Sequence, residues 1–349
     1  MFRRSILCLL LLPAVSMAAE PPKPEEAPIA KPAPTREVVQ QRLADAALAA
    51  MAKSSDAEAV AVSSKFQRKS DVTAGESRTE EQETARQVSA LSRALTLAQM
   101  PNEFIDYQVV TFCLGLPKEP FCAKEDWPLQ YANRNLDNVI GWLTLAGKEY
   151  ATGSNAIAQV FLESAAKAKR SDWYYQRALA LARRYVTQVE DGDAQPGDRD
   201  VAILKVASEV SLPPLQRLAQ MCNPDPAGKL PDGRYVLCRS VAKILVAQAR
   251  TNVEVDLGLR VQQRLDNGEK NEAAAKKWSD LHTARQNSYK FLWNSAVKYP
   301  PQSEHDAREL AKFVDDLIAV GEVKATENAL RRAGKSIEDF LPASSEKAK

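Results

Sequence analysis

The stretch NVIGWLTLAGKEYATGSNAIAQVFLESAAKAKR, residues 138–170, decides how the rest of the chain is read. Trp142 is followed three residues later by Leu145 and then by the small Ala146. After a break, Ala158, Leu162 and Ala165 recur at helical spacing. The pattern predicts two helices, over 136–151 and 154–169, joined by a short turn. Large side chains at Trp142 and Leu145 fill the space between two such helices. Small ones at Ala146 and Ala158 let the backbones approach. One antiparallel helical hairpin is therefore the unit to look for elsewhere.

The composition extends that reading. Glycine is scarce, at 13 in 349 residues, and Ala, Leu, Gln and Arg abound. These residues lose little entropy in a helix. No stretch gives a convincing period-two strand. Thr79 and Gln82 fit a capping box ahead of Val88, Leu91, Leu95 and Ala98. Residues 103–114 read as the next helix, and Pro117, Pro120 and Pro128 keep 115–130 irregular. Further helices are predicted over 171–189, 198–210, 212–222, 235–250, 252–266, 271–296 and 303–334. The fold class expected is all-α, with stacked antiparallel helical hairpins.

Those same residues resemble the tetratricopeptide repeat, a pair of antiparallel helices repeated along a solenoid. Trp142, Leu145, Ala146, Ala158, Leu162 and Ala165 stand at its large and small core positions. Gln176, Leu179 and Ala180 echo the first helix one period later. Glu149 stands where the repeat has an aromatic, Arg170 replaces the closing proline, and the pattern breaks at Gly192. The resemblance, centred on 138–186, implies a protein-binding scaffold rather than an enzyme.

The first residues carry an export pattern. Met1–Arg4 is basic, Ser5–Val15 is leucine-rich and apolar, and Ser16-Met17-Ala18 offers small residues at the two positions a signal peptidase reads. The apolar run is too short for a bilayer that needs roughly 20 residues. The domain plan expected is a signal peptide over 1–18 and a proline-rich tether over 19–34. An N-terminal helix with a loose linker follows over 35–78, then a helical domain over 79–340 and a tail over 341–349. The protein is expected to be periplasmic or secreted, with no integral membrane segment after cleavage. The chain has 47 Lys+Arg and 45 Asp+Glu, and losing Arg3 and Arg4 with the signal leaves 45 of each. That balance gives no electrostatic case for nucleic acid.

Four cysteines remain: Cys113, Cys122, Cys222 and Cys238. An even number in an exported chain suggests disulfides, and four cysteines allow three connectivities. Both neighbour gaps are short and turn-rich, FCLGLPKEPFC being the first, so Cys113–Cys122 and Cys222–Cys238 are expected. Zinc would want closer pairs, and a redox pair would want Cys-x-x-Cys. His282 and His305 have no partner at metal spacing, and no nucleophile elbow or phosphate loop occurs. No cofactor, metal or catalytic residue is assigned. Paired acids such as Glu190 with Asp191, or Asp315 with Asp316, read as solvated. Trp173, Tyr174 and Tyr175 are the densest aromatic cluster and a candidate partner anchor, weighed against packing into the core. The function expected is a non-enzymatic scaffold for another envelope protein. A peptidoglycan hydrolase or its accessory, or a periplasmic chaperone or inhibitor, are the alternatives.

Overall fold

The computed structural model describes residues 34–65, 79–210, 212 and 215–343. The expected signal peptide, nearly all of the tether, the linker at 66–78 and the end of the tail lie outside these residues. Every regular element among them is helical; the single isolated bridge joins Asn138 and Arg170.

Helices α1 (Arg36–Lys53), α2 (Ala57–Val62), α3 (Glu80–Leu97) and α4 (Glu103–Gly115) open the domain. Each is capped by a side chain: Thr35, Asp56, Thr79 and Asn102 accept hydrogen bonds from first-turn N–H groups. The Thr79–Gln82 capping box forms as the sequence predicts. Two short helices follow, α5 (Pro120–Ala123) and α6 (Trp127–Arg134). They correct the irregular stretch expected over 115–130. Pro120 and Pro128 sit in the first turn, where a missing N–H costs nothing, so they start helices here.

The central hairpin is α7 (Val139–Ala151) with α8 (Asn155–Ala166), turned through Gly153. It is one of the most extensive helix contacts in the protein. Trp142, Leu145, Ala146, Ala158, Leu162 and Ala165 are all buried in the main core, as their spacing requires. Then come α9 (Tyr175–Val186), α10 (Asp198–Ala207), α11 (Gln216–Met221) and α12 (Arg234–Ala247). The domain ends with α13 (Asn252–Gly268), α14 (Glu272–Phe291), α15 (Glu304–Val320) and α16 (Glu322–Arg332). A π-helical turn over Leu292–Ala296 extends α14. Successive pairs α9–α10, α12–α13, α13–α14 and α15–α16 pack side by side, giving stacked hairpins. At the α12–α13 crossing a Cβ on Gly258 would lie 2.8 Å from the carbonyl oxygen of Ala242. Only glycine permits so close an approach.

Three expectations shift. The segment 303–334 is two helices, because Gly321 takes φ +85° and stops α15. The helix expected from 171 starts at Tyr175, because Tyr174 is left-handed at φ +65°. The Asp172 carboxylate fixes that turn by accepting from the Tyr174 N–H at 2.7 Å. Finally, α1 does not stand ahead of the domain. It packs on α9 and α10, so the chain from Thr35 onward forms one compact unit. Arg36 and Gln40 both donate to the buried Asp198 carboxylate, at 3.0 and 2.9 Å.

Both disulfides form with the neighbour pairing, Cys113–Cys122 and Cys222–Cys238. The first belongs to a smaller apolar cluster with Leu91, Ile105 and Phe112. The second lies in the main core, where both cysteines are fully buried. No helix among the described residues is long and apolar enough to cross a membrane.

Candidate functional site

The aromatic trio turns inward. Trp173 and Tyr174 are 5% exposed, and Trp173 stacks on Tyr175 with ring centroids 5.2 Å apart. The indole N–H of Trp173 donates to the Thr251 hydroxyl at 3.1 Å. Tyr174 joins Tyr107 and Tyr131 in a ring cluster, and its hydroxyl donates to Glu103 at 3.1 Å. Burial pushes the Tyr174 phenol up to about 12, so it serves as a neutral donor. These rings link the ends of helices rather than offering a face to a partner. Packing into the core is the alternative weighed for this trio from sequence; the left-handed turn at Tyr174 just ahead of α9 is what separates the rings.

Two concave sites stand out, and neither was visible in the sequence. One is a half-open groove of about 640 Å³ beside the Cys113–Cys122 bridge. Leu114 of α4, Pro117 beyond it, Ala123 of α5, Pro128 of α6 and Ala151 of α7 make its walls apolar. The proline-bent connector creates the hollow, and the disulfide fixes that connector against the helix it leaves. The volume lies within the range of about 300–1,000 Å³ usual for ligand sites. On the rim Lys148 pairs with Asp126 at 3.2 Å. Glu125 bonds only the Gln130 amide, and Arg217 of α11 bonds only Gln220, so neither has an ion-pair partner among the described residues.

The other is an open cleft of about 470 Å³ where the α8–α9 and α12–α13 loops meet the start of α4 and the end of α15. Arg170, Arg177 and Arg250 line it together with Glu103 and Asp172. Arg170 donates to Glu103 at 3.0 Å and to Asp137 at 3.1 Å. Arg177 lies over the Phe104 ring and pairs with Glu58. Arg250 bonds Gln176 and stands 3.7 Å from Asp172.

A third, much smaller crevice, about 140 Å³, holds Asp256 and Glu322 with Arg285 and Tyr289. Burial raises both carboxyls; Glu322 accepts from the Asn252 N–H and the Tyr289 hydroxyl, and Asp256 from the Gln286 amide. Its volume is below what a sugar ring between two acids needs. His282 stands 4.0 Å from Asp256, and no group of three metal-binding side chains converges among the described residues.

Asp200 on α10 is a further acid shifted by burial. Burial, helped by Asp315 and opposed by Arg183, lifts it to about 6. A raised carboxyl stabilises the fold below its unfolded value of about 3.9 and loses that contribution as pH rises through the folded value. Asp200→Asn is therefore expected to flatten the fall in melting temperature between about pH 4 and pH 6, and to raise it at neutral pH. A thermal-melt series across that range checks both.

No family model, no curated protein and no solved structure matches this chain.

Proposed function

We propose that this chain is a non-enzymatic interaction scaffold of the cell envelope. Its groove beside Cys113–Cys122 takes an extended segment of another exported protein. The observation that carries the reading is the groove itself: apolar walls with one unpaired charge of each sign on the rim. The occupant that complements it has a short apolar run, with a basic residue for Glu125 and an acidic one for Arg217. The helical hairpins support the reading, and so does the repeat-like α7–α8 unit. The leader-like first residues and two disulfides support an oxidising compartment outside the cytoplasm, periplasmic or secreted.

A photo-crosslinking residue at Thr152, on the groove, against one at Ile157, outside it, tests this in living cells. We expect one dominant adduct from Thr152, weakened in Glu125→Lys and in Arg217→Glu, and restored by swapping the matching charge on the partner. Equal labelling from both positions, an adduct only with a second copy of this chain, or no adduct would overturn it. Release of soluble fragments from peptidoglycan by the pure protein would favour the hydrolase instead.

A further inference from the structure

The groove leaves the arginine cleft unexplained. Arg170 precedes α9, Arg177 lies in its first turn and Arg250 comes from the α12–α13 loop, and each keeps an Nη group with no hydrogen bond among the described residues. For Arg170 and Arg177 the other nitrogens are engaged by Glu103, Asn135, Asp137 and Glu58. Arg250 spends Nη1 on Gln176. Two of the three are fixed through their backbones. The Arg170 carbonyl accepts from Val139 N–H, and the Arg250 carbonyl accepts from Glu322 N–H, at 2.9 and 2.7 Å. Their side chains remain 29% and 51% exposed, so the donors face water. Guanidinium groups held this way are suited to bidentate capture of a carboxylate.

The acids in the same cleft narrow the choice. Glu103 uses one carboxylate oxygen, Oε2, for both Arg170 and Tyr174 and leaves Oε1 without a donor among the described residues. Asp172 meets Arg170 and Arg250 only at 4.0 and 3.7 Å through Oδ2. A polyanion such as phosphate would meet these two carboxylates as repulsive neighbours. A ligand carrying an ammonium as well as a carboxylate would satisfy both sets.

We propose that the cleft of Arg170, Arg177 and Arg250 binds an amino-acid-type zwitterion. Its carboxylate goes to the spare guanidinium donors and its ammonium to Glu103 and Asp172. A free amino acid and a short peptide share this chemistry. The inference does not depend on the groove, whose lining residues are all different.

The test is calorimetry and side-chain NMR of the arginine Nε–H signals with four probes: alanine, the dipeptide Ala-Ala, N-acetyl-Ala-Ala and inorganic phosphate. Saturable binding of Ala-Ala is expected, with shifts confined to the cleft arginines. Acetylation, which removes the ammonium, should weaken it by about tenfold or more, the scale of one charge-assisted hydrogen bond. Arg250→Gln should weaken it to the same degree with an unchanged circular-dichroism spectrum, since that side chain is half exposed. Alanine binding as well as the dipeptide identifies the free amino acid as ligand; the dipeptide alone identifies a peptide terminus. Three results would each overturn the proposal: no saturable shift with either zwitterion, acetylated and free dipeptides binding alike, or phosphate binding best. Arg177→Gln serves as a second variant should Arg250→Gln fail to fold.

Discussion

Glu254→Ala is expected to lower the melting temperature by on the order of 10 °C, while Glu254→Gln leaves it nearly unchanged. Glu254 is fully buried, and its carboxylate is where two loops are tied together. One oxygen accepts from the Arg250 N–H at 3.1 Å, the Thr251 N–H at 2.9 Å and the Thr251 hydroxyl at 2.8 Å. The other accepts from the Ser171 hydroxyl of the α8–α9 loop. Alanine would strand two backbone donors and two hydroxyls out of reach of water, at a cost on the order of 4 kcal/mol. Glutamine offers a carbonyl oxygen to the first three donors and turns its amide toward the Ser171 oxygen. Burial already raises the Glu254 carboxyl, against the pull of those hydrogen bonds, so a neutral replacement suits the site. Thermal melts of both variants check this. Equal destabilisation by glutamine would mean that the negative charge, rather than hydrogen-bond geometry, holds the joint.

The second large effect concerns the bridge in the main core. Replacing Cys222 and Cys238 by serine is expected to destabilise the protein by about 3 kcal/mol through the unfolded chain. Two unpartnered hydroxyls in an apolar core add a further cost of roughly 1–3 kcal/mol each. Both sulfurs are fully buried, so mild reductant without denaturant should leave this bridge intact. The Cys113–Cys122 bridge borders the groove, at 6% and 9% exposure, and should open first. Mass mapping of alkylated peptides over a time course of dithiothreitol reads the order. Simultaneous loss of both bridges would contradict it.

Much of this architecture was legible because it is written locally. Helical spacing, caps such as Thr79 with Gln82, and cysteines separated by turn residues all act within a few positions of sequence. The misreadings have local causes too. Gly321 lies inside the run that reads as one helix over 303–334, although its positive φ ends α15. Prolines at 120 and 128 read as breakers from sequence alone, yet each stands where a helix starts. The clefts were illegible for a different reason. Glu103, Arg170 and Arg250 meet only because the ends of α4, α9 and α13 converge, and no spacing along the chain encodes that. The same holds for Arg217, brought to the groove rim by α11 packing on α7.

The seating of α1 bears on how the molecule assembles in time. Arg36 reaches Asp198 across 162 positions of sequence. Closing such a long loop is entropically costly, and contacts of this range slow folding. A chain made from its N-terminus has α1 complete long before α9 and α10 exist. Until then Leu43, Ala47 and Met51 lack the faces of α9 and α10 and have only the short α2 and the turn after it beside them. The first of the described helices thus waits for two much later ones, and for that interval part of its apolar face is open to whatever escorts the growing chain.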